Sequence, residues 1–307
     1  MFSSNSTGIF ALSLALASAV AAGPIVKREG INDAVILNYA LTLEHLEDTF
    51  YREGLAKYTE QDFASAGFDA VFYNNIKGVS KDESEHVGFL TTALKAAGAE
   101  PVAACTYNFG YSDVKTFLAT ASILEGVGVS AYLGAAADIM SKTYLTAAGS
   151  ILTVEARHSS YIREGLRQVP FPQPFDAPLT YNEVYSLASQ FITECPSSNA
   201  KLPVKAFPKL VGAMSNGPIT PDSVVTLQTP GYTIQAPQGS TGIFAAFIAV
   251  TGPTFVEATA VDGGFTVKVP QGFAGQTYVV LTGCNNGTVS DDTVVAGPAV
   301  LEVGTLT

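Results

Sequence analysis

The sequence predicts a mostly α-helical fold, a four-helix bundle followed by a small antiparallel β-sandwich. Three observations carry that reading. Four long segments upstream of residue 200 repeat apolar residues at helical spacing, short β-type runs replace them from residue 219, and prolines from Pro203 to Pro218 mark the change. The implied organisation is a helical domain over 29–200, a linker over 201–218 and a β-domain over 219–307.

Residues 1–22 join Ile9-Phe10-Ala11-Leu12-Ser13-Leu14-Ala15-Leu16-Ala17 to small residues around Ala19-Val20-Ala21-Ala22. This reads as a secretory signal peptide, although its start lacks a basic residue. Lys27-Arg28 then reads as a dibasic processing site, which makes 23–28 a pro-segment and Glu29 the mature start.

The first helix is expected over 33–57, with Leu37, Leu41, Glu44, Asp48, Tyr51 and Leu55 on one stripe. The second, over 70–97, aligns Val79, Glu83, His86, Leu90 and Ala93 and stops at Gly98 before Pro101. The third, over 113–134, aligns Leu118, Ala121, Glu125, Gly128 and Tyr132, and the fourth, over 143–166, aligns Ile151, Glu155, His158 and Ile162. A shorter helix starts at the capping box Thr180-Tyr181-Asn182-Glu183 and ends before Pro196. Downstream, runs such as Phe265-Thr266-Val267-Lys268-Val269 and Tyr278-Val279-Val280-Leu281 alternate with turn signals such as Asp262-Gly263-Gly264. That half holds one lysine, no arginine and no histidine, so chemistry belongs to the helices.

The formal charge of −11 becomes −13 without Lys27 and Arg28, which argues against nucleic acid and anionic membrane as partners. No stretch after the leader reads as apolar enough to span a bilayer, and Val303-Gly304-Thr305-Leu306-Thr307 is no lipid-anchor signal. The expected product is soluble and exported, extracellular or in the cell wall. Asn286-Gly287-Thr288 is a glycosylation acceptor suited to a surface turn. Of three cysteines, Cys105 and Cys195 are the favoured disulfide because both fall in loop-like sequence flanking helices. Cys284 is then the odd one, and three free thiols remain the alternative.

Two of the three histidines follow a glutamate by three residues, as Glu83-x-x-His86 and Glu155-x-x-His158. With 15 glutamates in 307 residues, a random arrangement does this about once in a hundred. Residues three apart share a helix face, where a carboxylate and an imidazole reach the same metal ion. In helix order the chain reads Glu44, Glu83-x-x-His86, Glu125, Glu155-x-x-His158, and Glu44 and Glu125 each have a tyrosine seven residues on, Tyr51 and Tyr132. Four carboxylates buried together repel one another unless neutralised, and two divalent cations supply the balancing charge.

This order of donors matches dimetal carboxylate bundles, with one Glu from each of two helices and Glu-x-x-His from each of the others. The chain over about 33–195 resembles ferritin-like proteins. More narrowly, it is similar to a secreted fungal ferritin-like family with stress-responsive and spore- or fruiting-associated members, a similarity that extends to the ending Val294-Val295-Ala296-Gly297-Pro298-Ala299. The resemblance implies that Glu44 and Glu125 are terminal ligands, that Glu83 and Glu155 bridge two metals, and that His86 and His158 each cap one. It implies iron or manganese as the metal and dioxygen or peroxide as the reactant.

Simpler readings stand beside this one. Glu47 competes with Glu44 for a ligand position, one turn away, while Glu85 points away from His86 and reads as solvated. Asp48 is an acceptor that hydrogen-bonds behind the ligands or a bundle-end charge; Tyr51 and Tyr132 are core residues or hydrogen-bond partners of the carboxylates. His45 reads as a histidine outside the ligand set, and a metal-free buried network is the alternative for all six. Two functions follow. One is a dimetal oxidoreductase, ferroxidase-like or catalase-like. The other is a cell-wall or spore-coat structural or binding protein whose β-domain provides wall attachment or self-association. Storage in a closed shell is disfavoured by the extra β-domain and the glycan.

Overall fold

The computed structural model describes residues 30–212, 217–237, 240 and 242–304. The expected leader over 1–22 and pro-segment over 23–28 lie outside the described residues.

Four long helices form the bundle: α1 (Asp33–Lys57), α3 (Ala70–Ala96), α4 (Val114–Ala135) and α5 (Lys142–Gly165). Each starts on a residue whose side chain accepts from an otherwise unpaired first-turn N–H: Asn32, Asp69, Asp113 and Ser141. Helix α1 packs along α3 and α4 along α5. The bundle is thus two hairpins laid together. Phe50 stacks on Phe117 with ring centroids 4.8 Å apart, inside a core that includes Leu46, Ile76, Leu118 and Ile162.

Two short helices complete this part. Helix α2 (Glu60–Ala66), absent from the sequence reading, is nucleated by a Thr59–Asp62 capping box and buries one side chain, Phe63. A single buried residue leaves no periodicity to detect. Helix α6 (Tyr181–Ala188) starts on the Thr180–Glu183 capping box but ends earlier than expected. The chain then becomes extended, and β2 (Ile192–Glu194) pairs antiparallel with β1 (Thr106–Tyr107). Beside this ladder Cys105 and Cys195 are joined as a disulfide, while Cys284 is free.

One expectation is corrected. The segment Val114–Asp138, α4 with its adjoining 3-10 turn (Ala136–Asp138), is long and apolar enough to cross a membrane. Its apolarity has another cause: 67% of its most apolar window is buried inside the protein, because α4 contacts α1, α5 and α6.

Downstream lie two four-stranded antiparallel sheets. One orders β10 (Val294–Val303), β9 (Gly275–Thr282), β5 (Phe244–Phe247) and β6 (Thr254–Glu257). The other orders β3 (Val211–Gly212), β4 (Val224–Gln228), β8 (Gly264–Lys268) and β7 (Thr259–Val261). Val225, Leu227, Phe265 and Val267 of the second sheet meet Phe247, Val279 and Leu281 of the first in one core. Strand β3 falls within the stretch read as a linker. The sheets are tied to the bundle by the buried Arg163, whose guanidinium donates to Glu302 at 2.9 and 2.7 Å, and by the Tyr278 hydroxyl, which donates to Gly126 O at 2.7 Å.

Because the disulfide closes a loop of 90 residues, Cys105→Ser/Cys195→Ser should lose about 2–4 kcal/mol of stability. Reversible unfolding in denaturant measures this. An unchanged midpoint would show that the β1–β2 pairing holds the loop unaided.

Candidate metal centre

Halfway along the bundle each long helix turns an acidic position inward, and α1 turns a second, Glu47. Glu44 on α1, Glu83 on α3, Glu125 on α4 and Glu155 on α5 each have zero solvent exposure. His86 and His158, one turn beyond Glu83 and Glu155, are buried with them. Donor atoms of Glu44, Glu83, His86 and Glu155 lie within 4.8 Å of one another, and so do those of Glu83, Glu125, Glu155 and His158. Glu83 and Glu155 belong to both groups. Each group also takes one carboxylate from α1 or α4 and one imidazole.

The contacts repeat across the two groups. His86 Nδ1 is 3.2 Å from Glu44 Oε2, 3.2 Å from Glu83 Oε2 and 3.4 Å from Glu155 Oε1. His158 Nδ1 is 2.9 Å from Glu83 Oε1 and 3.3 Å from Glu125 Oε2. The tyrosines cross over: Tyr51 of α1 donates to Glu125 Oε1 of α4, and Tyr132 of α4 donates to Glu44 Oε1 of α1. Each phenol fixes one oxygen of a carboxylate and leaves the other facing the centre.

These residues fit a cation centre. Glu44 Oε2, Glu83 Oε1, Glu125 Oε2, both oxygens of Glu155 and His158 Nδ1 are buried without a well-formed hydrogen bond. Orphaned lone pairs of this kind are costly unless a cation accepts them. Gly128 reserves space for them. A Cβ there would lie 2.7 Å from Glu155 Oε2 and 3.2 Å from Glu47 Oε1.

Burial and mutual repulsion set the protonation of the group. Burial raises Glu83 to about 7, with Glu125 adding to the rise. Glu155 is raised well above its ordinary value by burial and then by Glu83 and Glu125. Burial alone would lower both imidazoles. The carboxylates around them reverse that, holding His86 far above ordinary histidine through Glu155, Glu44 and Glu83, and His158 at about 11 through Glu125 and Glu83. Without metal, the centre keeps protons that a cation would displace.

The remaining candidates separate clearly. Glu47 is buried at the edge of the centre, its carboxyl raised by burial and then by Glu155, Glu83, Glu44 and Glu125, yet it belongs to neither donor group. Asp48 faces away from the centre: it accepts from Ser84 Oγ and from Arg52 Nε at 3.0 Å, bracing α1 against α3. His45 contacts Val102 O at 3.0 Å, and Glu85 is exposed. Asn286 is exposed, with its side chain accepting from Thr288. Asp82 is a residue the sequence reading missed. Its carboxylate lies 3.2 Å from His158 Nε2 and reaches from α3 to α5, where it orients the ring from outside. Its neighbour Glu83 points inward, so helical spacing gave Asp82 no signal.

Comparison with known proteins agrees with this geometry. Residues 32–168 match the family model of the ferritin-like domain. Protein rds1 of Schizosaccharomyces pombe is 28% identical over 174 residues, covering 57% of this chain. The match spans 42% of that relative's length. Together with the four helices and the buried carboxylate–imidazole groups, the match shows that the N-terminal part of this chain is a ferritin-like domain.

Proposed function

We propose that the bundle holds two divalent transition-metal ions, iron or manganese, and that the chain is an exported protein with redox activity toward dioxygen or peroxide. The observation that carries this is the six-residue donor set with its orphaned atoms, sharing Glu83 and Glu155 between two groups. In this reading Glu44 with His86 would hold one ion and Glu125 with His158 the other, and Glu83 and Glu155 would serve both. Bound there, such ions supply reversible one-electron changes of oxidation state. The chain's own part is to exclude bulk water, fix the carboxylates through Tyr51 and Tyr132, and hold a proton on Glu47 beside the ligands.

Export is supported by the leader-like composition of 1–22, the Cys105–Cys195 disulfide and the exposed glycosylation acceptor Asn286. A second reading draws on how tightly the centre is enclosed: the four carboxylates are fully buried, and only edges of the imidazoles reach the surface, at 11% and 8% exposure. A closed centre of that kind suits a structural metal in a wall or coat protein.

Elemental analysis of the purified protein should find about two iron or manganese ions per chain. Glu155→Ala should lose both and His158→Ala at least one. A parent without stoichiometric transition metal, or variants that retain it, would sink the proposal. Iron-oxidation and peroxide-decomposition assays on the loaded protein then decide between enzyme and structural site, since turnover in neither would favour the latter. Gly128→Ala should lower metal occupancy while the helical content by circular dichroism stays unchanged.

The metal-free protein should lose stability as pH rises. Glu83, Glu155, Glu47, His86 and His158 all have folded-state values raised above their unfolded ones, so the folded chain binds more protons. Their stabilising contribution is complete below about pH 4.5 and declines as pH passes the folded value of Glu83, about 7. In chelator, the melting temperature should fall from pH 5 to pH 8, and added metal should restore more at pH 8 than at pH 5. A flat apo profile would contradict this account.

A further inference from the structure

Outside the metal centre, a cavity of about 170 Å³ lies where the bundle meets the sheets, between α5, the 170–175 loop and β9. Phe171 and Phe175 stand at its mouth, 80% and 63% exposed. Such exposure of two phenylalanines is unfavourable unless something covers them. Their loop is held in place rather than loose. Its sequence, Pro170-Phe171-Pro172-Gln173-Pro174-Phe175, restricts the backbone. Pro170 O accepts from Ser160 Oγ at 2.9 Å, Val169 O accepts from Arg163 Nε at 2.9 Å, and Gln173 Nε2 donates to Ala274 O at 2.6 Å. At Gly275 a Cβ would strike Pro172 Cγ at 2.1 Å, so the loop is seated directly on the β-strand backbone.

The polar lining selects the charge of the occupant. Arg163 is fully engaged by Glu302 and Val169, so it offers no free positive charge to an anion, and its presence disfavours a second cation. Asp176 is exposed at the cavity rim, makes no side-chain hydrogen bond or ion pair among the described residues, and has its carboxyl raised by partial desolvation. A solvent-facing acceptor beside two exposed rings suits a neutral molecule with hydroxyl donors along one edge and an apolar face. We propose that this cavity binds one neutral pyranose ring of a saccharide, with Phe171 and Phe175 against its C–H face and Asp176 accepting from its hydroxyls. The volume suits a single hexose with the rest of a glycan chain outside. This site is independent of the metal reading.

The test is titration of the purified protein with glucose, mannose and N-acetylglucosamine and their linear tetrasaccharides, followed by calorimetry and saturation-transfer NMR. Saturable binding of at least one sugar is expected. Phe171→Ala/Phe175→Ala and Asp176→Asn should weaken it at least about tenfold. Val224→Ala, which removes another exposed apolar side chain, on β4, should leave it unchanged. Because all these positions are at the surface, melting temperatures should match the parent and separate lost binding from lost folding. Absence of saturable binding across the panel, or equal affinity in the variants, would overturn the proposal. So would binding of n-butylammonium that depends on Asp176 in a protein that binds no sugar.

Discussion

Everything in the helical part is arranged around one electrostatic problem, five glutamate side chains buried within a single layer of the bundle. Glu44, Glu47, Glu83, Glu125 and Glu155 have lost their hydration, and burial with the neighbouring carboxylates raises the affinity of Glu47, Glu83 and Glu155 for protons. Among the described residues no arginine or lysine pairs with them. The nearby counter-charges are two imidazoles, which cannot neutralise five carboxylates. A core built this way is stable only with bound protons or cations, and it pairs its donors so that two cations could share the middle.

The tyrosines show how that layer is kept from collapsing onto itself. Glu44 and Glu125 each already turn one oxygen toward an imidazole, and a second free oxygen would be drawn to the same donor. Tyr51 and Tyr132 prevent this by holding one oxygen of Glu125 and Glu44 across the α1–α4 contact. Each hairpin therefore orients one buried carboxylate of the other. Gly128 does the complementary work by omission, since any side chain at that turn of α4 would fill the space taken by Glu155 and Glu47. Positive orientation acts on Glu44 and Glu125, and reserved space on Glu47 and Glu155.

Those residues also explain how much was legible in the sequence. The long helices could be located to within a residue or so because each has a cap and a buried stripe interrupted by the same inward acid. The inward placement of the six candidate residues was legible for the same reason: a charge on an apolar stripe contradicts its surroundings. What escaped lacked that contradiction. Helix α2 buries only Phe63, β2 replaces a helix after Ala188 through pairing with a distant segment, and Asp82 reaches its histidine from an exposed position. Glu47 was weighed against Glu44 from spacing alone. Burial of both resolves why spacing could not separate them, because α1 packs on α3 and on α4 and so has a wide buried face.

The sheets bear on the centre through α4 and α5, which carry half of its donors. Tyr278 of β9 reaches into the bundle to accept from Ser130 and donate to Gly126, one residue from Glu125. Arg163, five residues beyond His158 on α5, is clamped by Glu302 of β10. Both anchors are buried, and both act on the α4–α5 hairpin; among the described residues no comparable polar anchor joins the sheets to α1 or α3. The two hairpins thus have different mechanical surroundings despite their similar ligands. The α4–α5 pair is anchored in the sheets, whereas α1 and α3 are held within the helical part, by each other, by Asp48 with Ser84, by the Phe50–Phe117 stack, by Asp33 accepting from Met140 N and Ser141 N, and by Asn75 donating to Tyr161. Loss of charge balance at the centre should therefore loosen the α1–α3 hairpin first, because the polar anchors to the sheets restrain the other one.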